Sequence, residues 1–434
     1  MRKMVKMSLA AAMMMGIGSV SAQAEGLDVL SNIKANGEIR ARYEMVDAND
    51  VTNNANANAL TNRLRLGVGA DLFGTSWLSG YAEMTDVRAL NNNYNDGYAG
   101  NGAEKHDTVA DSEQTRLTQA YVDAKYGQTK LRLGRQMINL DNQRFVGASA
   151  WRQMFTTFDA ITLTNSTIKN LDLFASYVTQ VNHVGYDDTR DTRSVLLNAS
   201  YKVMPELKVT VYDYMIGTGT VASSNNTTHS QTNIGCDTYG IALTGDINVA
   251  QNAKVSYRAE YAIQTDPTME NQGHSSSGKN VDADYMNLEV NANVNGILAG
   301  VGYEVLSGTN DTDNKTGFKT PFYSAHPFNG WADIFAATPD HGLEDLSIML
   351  GYTSKDFGTL QAVYHDFKAE AFNVNYGTEV DVMYTRAIPG VNNLTGMLKY
   401  ADFNVDKEWV AAAGASKVDV TKFIAMLTYS FATK

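Results

Sequence analysis

The chain has 434 residues, with 35 basic and 47 acidic side chains, a net charge of −12, seven His and one Cys. That acidic balance argues against nucleic acid as a partner, and a single cysteine, Cys236, excludes a disulfide framework. Gly outnumbers Pro by 35 to 6, beside 23 Tyr, which suits strands joined by glycine-tolerant turns.

At the N-terminus Arg2, Lys3 and Lys6 precede an apolar run through Leu9, Ala10 and Met13 to Val20, then Ala22-Gln23-Ala24. Charge, apolar run and small-x-small site in that order predict a signal peptide over residues 1–24, cleaved after Ala24. The run is too short to span a bilayer as an anchor. The leader takes three basic residues and no acid, so the remainder carries 32 basic against 47 acidic residues, a net −15. After residue 24 no run of eighteen apolar residues exists, so a membrane location requires a closed barrel. Residues 25–36 (EGLDVLSNIKAN) are expected to form a short periplasmic segment, hanging free or entering the lumen of such a barrel.

The next stretch, GEIRARYEMV (Gly37 to Val46), alternates without a break. Ile39, Ala41, Tyr43 and Met45 take one parity, while Glu38, Arg40, Arg42 and Glu44 take the other. At a side-chain period of two this is a strand with an oily face and a charged face. The same template places strands beginning near 37, 60, 77, 117, 130, 158, 170, 194, 207, 238, 253, 283, 298, 346, 359, 378, 394 and 421. Those near 158 and 346 are the weakest. The joins alternate in length. FGTS, GQT, VMPE and VNG are tight, whereas 216–236, 264–281 and 307–344 are long and polar. Sorting of loops by length predicts an all-β fold: a closed antiparallel transmembrane β-barrel over 37–434 with short periplasmic turns and long extracellular loops. The strand count is about eighteen, sixteen being the alternative. An interior of that width is an aqueous channel or a plugged lumen. The last strand, KFIAMLTYSF, puts Phe423, Ala425, Leu427, Tyr429 and Phe431 on one parity. It is similar to the closing strand by which outer-membrane barrels are presented to the barrel-assembly machinery, although Ala432-Thr433-Lys434 come after the aromatic.

Three stretches carry a family resemblance: LGRQMINLDNQRFVGASAWRQMFTTFDAITL (Leu133 to Leu163), GFKTPFYSAHPFNGWADIF with TPDHGLEDL (Gly317 to Leu346), and YGTEVDVMYT with KYADF beyond it. Together they resemble the bacterial alginate-export family of outer-membrane barrels. The resemblance implies an eighteen-stranded barrel in the outer membrane of a Gram-negative bacterium, in contact with lipid. Members named by homology need not move alginate.

The parity rule points Arg40, Arg42, Arg63, Arg65, Arg132 and Arg258 into the lumen, the first five on nearby strands and so on one wall. Glu38, Glu44, Glu83, Glu260, Glu304, Glu379 and Asp381 also point inward, the last three toward the opposite wall. Arginine pairs bidentately with carboxylates and phosphates and stays charged, so a row of them offers an anion successive weak sites. The same groups would otherwise pair with one another and stiffen the wall. A loop over 136–157, with Asp141, Arg144, Trp151 and Arg152, is the candidate constriction, or else an ordinary loop with Trp151 at the interface. Trp77, Tyr126, Tyr201 and Tyr429 are expected in the interfacial girdles.

The His residues lack ligand-like spacing. Asp311-Thr312-Asp313-Asn314-Lys315 opens like a calcium loop, but Lys315 stands at a ligand position. No metal, cofactor or catalysis is expected. The reading is a porin for passive diffusion of small hydrophilic, anionic solutes. The alternatives are export of an acidic polysaccharide such as alginate, or a surface-binding barrel working through loop 307–344.

Overall fold

The computed structural model describes residues 29–48, 55–98, 101, 103, 105–217, 235–269, 280–310, 314–413 and 418–433. The expected signal peptide and Asp311–Asp313 lie outside the described residues. The first ten strands are β1 (Leu30–Ala48), β2 (Ala57–Leu72), β3 (Leu78–Ala89), β4 (Gln114–Tyr126), β5 (Thr129–Gln136), β6 (Thr157–Asn165), β7 (Leu171–Asn182), β8 (Thr189–Met204), β9 (Leu207–Ile216) and β10 (Cys236–Ala250). They continue as β11 (Ala253–Thr265), β12 (Asn280–Val294), β13 (Ile297–Leu306), β14 (Lys315–Thr316), β15 (Leu343–Ser354), β16 (Gly358–Lys368), β17 (Asn375–Ala387), β18 (Leu394–Val405) and β19 (Val420–Ala432). One short helix, α1 (Lys407–Ala413), precedes the last strand.

All of these strands but β14 form one closed antiparallel barrel of eighteen. Closure is made by β1 and β19, paired from Asn36↔Ala432 to Ala48↔Val420. A sheet that returns on itself leaves no unpaired edge in lipid. The extra strand β14 pairs in parallel with the start of β12, at Asn280↔Lys315 and Val281↔Thr316.

Each predicted strand has its counterpart, and the loops sort by length as expected. Turns 73–77, 127–128, 205–206, 251–252, 295–296 and 388–393 close one end, and the long connections that follow β3, β5, β9 and β13 leave from the other. The expected segment before the wall belongs to the wall from Leu30 onward, where Leu30 pairs with Leu72. A register shift between Ser31 and Lys34, with Asn32 at φ 49°, breaks the alternation there and hides the strand from a period-two template.

The outer face is apolar. Leu133 and Leu350 stay 57% and 61% exposed, and neighbouring outward positions repeat the pattern, which only lipid explains. Trp77, Tyr126, Tyr201 and Tyr429 are exposed near the short-turn end, where aromatic girdles belong. Gly37 makes room for the Phe431 ring at the closing seam. A Cβ there would also stand 2.8 Å from the Arg65 carbonyl oxygen.

The interior is not empty. Phe145 from loop 137–156 packs against Tyr212, Tyr285 and Phe318, with ring centroids 5.0–5.7 Å apart. Phe335 from loop 307–342 packs among Phe367, Tyr376, Phe403 and Trp409. Both clusters hold a long loop against the inner wall by burying aromatic area.

Candidate functional site

Loop 137–156 reaches β1, β2, β11 and β13 at once, and loop 307–342 reaches β13, β15, β17, β18 and β19. Strands so far apart around a closed barrel are joined by one loop only if it crosses the inside. The two loops are also knit together. Val146 bridges to Phe322, the Gly147 N–H donates to the Phe322 carbonyl at 2.7 Å, and the Ser324 N–H donates to the Gln143 carbonyl at 3.1 Å. Trp151 stacks flat on His326 at 3.9 Å.

On the β1–β2 wall the arginines hold the first loop by its carbonyls. Arg40 donates to the carbonyl oxygens of Ala150 (3.2 Å) and Trp151 (3.3 Å), and Arg42 to that of Trp151 at 2.9 Å. Arg63 donates to Arg152 and Gln153 carbonyls at 3.0 and 3.1 Å. A loop in non-repeating conformation leaves such carbonyls unsatisfied, and inward guanidiniums supply the donors. Arg42 also lies over the Trp151 ring at 4.4 Å.

The arginines are paired with acids as well. Arg42 meets Glu44 at 2.6 Å, Arg65 meets Glu83 at 2.8 Å, and Arg63 binds Glu38, with Arg40 3.6 Å from the same carboxylate. Arg132 forks onto Asp123 at 2.7 and 2.8 Å, away from the loops. Glu38, Glu44 and Glu83 thus share the arginine wall and do not face it. Parity assigns a residue to a face but says nothing of its position around the barrel, and Arg42 and Glu44, two apart on one strand, are inevitable neighbours. Arg258 on β11 stands apart from the other arginines. It pairs with Glu260 at 2.6 Å and with Asp141 from the loop.

The far wall holds the last three predicted acids, Glu304, Glu379 and Asp381. Glu304 takes two Arg144 bonds at 2.8 and 3.1 Å, a third runs from Arg144 to Asn329 Oδ1 at 2.9 Å, and Asn329 donates to Glu304 (2.6 Å) and Asp345 (3.2 Å). Burial works to push Arg144 down, but the Glu304 carboxylate beside it holds it above the usual guanidinium value. Glu379 and Asp381 accept the backbone N–H groups of Ala332 (2.6 Å) and Trp331 (3.0 Å). Acceptors on the wall therefore grip loop donors, the mirror of the arginine side.

Between the walls lies a cluster that the parity rule did not single out. His326 bonds Asp333 at 2.8 Å and Lys399 at 2.9 Å. Asp333 also meets Lys422 at 2.8 Å and Arg152 at 3.3 Å, and Arg152 reaches Glu44 at 3.3 Å. Lys399 lies 4.3 Å over Trp151 and 3.8 Å over Trp331. Lys399 and Lys422 carry the inward parity of their strands and were open to the same rule. His326 and Asp333 sit in an irregular loop, where no rule of period applies.

Two spaces flank this cluster. One of about 300 Å³, toward the long loops, is lined by Tyr98, Trp151, Arg152, Arg190, Tyr323 and His326. One of about 320 Å³, toward the short turns, is lined by Asn142, Glu289, Glu304, Asn329, Asp345 and His365.

The fold has parallels among solved structures. The crystal structure of Acinetobacter baumannii OccAB4 superposes with a TM-score of 0.68 at 14% identity, covering 93% of this chain and 99% of that one. Pseudomonas aeruginosa OccK8 (OprE) gives 0.69 at 15%, with the same coverage. P. aeruginosa OpdK, solved with vanillate, gives 0.69 at 11%, again covering 93% and 99%. At these identities the likeness shows the fold. Among curated proteins none matches. The alginate export family model matches residues 32–412, and so the chain belongs to the alginate export family, as an eighteen-stranded channel of the Gram-negative outer membrane and not an enzyme.

Proposed function

We propose that the channel passes small hydrophilic organic anions by passive diffusion. One observation carries the preference. In the Arg65–Glu83 and Arg152–Glu44 pairs the arginine keeps 19% and 17% of its side-chain surface exposed, the acid only 1% and 2%. At these two pairs a solute meets guanidinium with Glu83 and Glu44 behind it, whereas at Arg63–Glu38 the order is reversed, with Glu38 18% exposed over a buried Arg63. Arginine presents a planar fork that matches a carboxylate, and several such forks in succession bind weakly enough to release. OpdK, similar in fold, was solved with vanillate, a carboxylate of the size this reading requires.

The knitted loops favour a small solute over a polymer. A polysaccharide would have to part Val146 from Phe322 and Trp151 from His326 along its whole passage. The test is liposome swelling with the mature protein. Benzoate and other small carboxylates are expected to enter faster than neutral sugars of equal size, and Arg65→Gln with Arg152→Gln should remove the difference. Equal rates for charged and neutral solutes in the unaltered protein would overturn the anion preference.

A further inference from the structure

Arg386 breaks the pattern of the outer wall. On β17, Val380, Val382 and Tyr384 take the lipid-facing parity, opposite to Glu379 and Asp381, and Arg386 continues their row. Among the described residues it has no ion-pair partner. It stands two residues before the 388–393 turn, at the short-turn end that faces the periplasm. Tyr384 beside it donates its hydroxyl to the Phe357 carbonyl at 2.6 Å, part of the aromatic girdle at that level.

A groove of about 480 Å³ begins at Arg386 and runs up the outer face to Leu60. The registers trace it: Arg386 pairs with Gly396, Gly396 with Leu427 and Leu427 with Ala41. Small residues Gly396, Ala425 and Ala41 make its floor, and Leu398, Leu427 and Leu60 its banks. In a tilted barrel a row across the strands climbs as it goes around, so the groove leads from the headgroup level toward the hydrocarbon.

We propose that this groove binds one phospholipid of the periplasmic leaflet, its phosphate on Arg386 and one acyl chain over Gly396, Ala425 and Ala41. A cation at the interface beside an apolar channel is complementary to a lipid with an anionic head and an apolar tail. Position selects this occupant over a second copy of the chain. Outward strand acids such as Asp86, Asp284, Glu344, Asp366 and Asp402 stand at the long-loop ends of their strands. A copy side by side at the same membrane level would therefore bury Arg386 without a strand acid at its height.

The test is native mass spectrometry of the refolded barrel supplied with dioleoyl phosphatidylglycerol in mild detergent. The protein should retain one lipid, with occupancy falling roughly fivefold in Arg386→Gln and similarly in Ala425→Trp, which fills the groove from the lipid side. Arg193→Gln, an exposed outward position on β8 toward the long loops, should leave retention unchanged. Equal retention in all variants, loss in Arg193→Gln as well, or a dimer in place of the lipid adduct would each overturn the proposal. Heat-modifiable gel mobility confirms that each variant is folded before it is scored.

Discussion

His326 occupies a place where a charged imidazole is unwelcome. Burial pushes its pKa from 6.5 down to about 3, and Lys399 acts in the same sense against Asp333. If the loops part and His326 reaches water, the ring regains its ordinary value, so between pH 6.5 and about 3 the parted state takes up a proton that the joined state does not. Acid therefore weakens the joint by up to about 1.4 kcal/mol per pH unit below 6.5, and alkali does not affect it through this group. Asp333 acts in a lower window. Against burial, His326, Lys422 and Arg152 hold it well below 3.8, and its contribution is lost only beneath that value. Single-channel records taken from pH 7 to 4.5 should show more frequent large openings as the pH falls, and His326→Gln should flatten the trend. Arg144 offers a second test. Replacing it by Met leaves Glu304 without its main partner at a buried pair, a loss of about 3–5 kcal/mol. Proteolysis from the long-loop side should then cut loop 137–156 faster while the barrel stays folded. Inward placement of Arg144 by that loop was an expectation from sequence. Its partner, 160 residues away on β13, was not legible, since nothing local encodes a contact across the lumen.

At the level of the element, alternation was enough to find the strands. GEIRARYEMV has the register that β1 adopts against β2 and β19, and even the weak segments near 158 and 346 are strands β6 and β15. Alternation failed where a bulge broke it, before Lys34, and it had no purchase on the two-residue β14. The closing seam depends on a glycine: the Phe431 ring occupies the space that a side chain at 37 would need. Gly37→Val is expected to overpack the seam by about 1–3 kcal/mol and to lower the temperature at which the folded band is lost on unheated gels. Phe431→Ala in the same chain should recover part of that loss, because the clash with the ring goes while the Arg65 carbonyl remains.

For the whole molecule, loop lengths and parity gave the barrel and the faces, but not the way in which the interior is filled. Three of the seven acids, Glu38, Glu44 and Glu83, lie on the arginine wall itself, Glu260 pairs with Arg258, and Glu304, Glu379 and Asp381 hold the loops from the far side. Loop 307–342, expected at most as an external binding surface, crosses the lumen and completes the joint with loop 137–156. These facts depend on where residues lie around the barrel, which no one-dimensional pattern records. The central claim is that a solute meets exposed Arg65 and Arg152 while their partners Glu83 and Glu44 stay hidden. Its most direct test is the reversal potential of the purified, refolded mature protein in a planar bilayer under a salt gradient, repeated with Arg65→Gln and Arg152→Gln together. Discrete anion-selective steps are predicted, with a bias that collapses toward zero in the double variant. Cation-selective steps, or an anion bias that the double variant leaves intact, would contradict it.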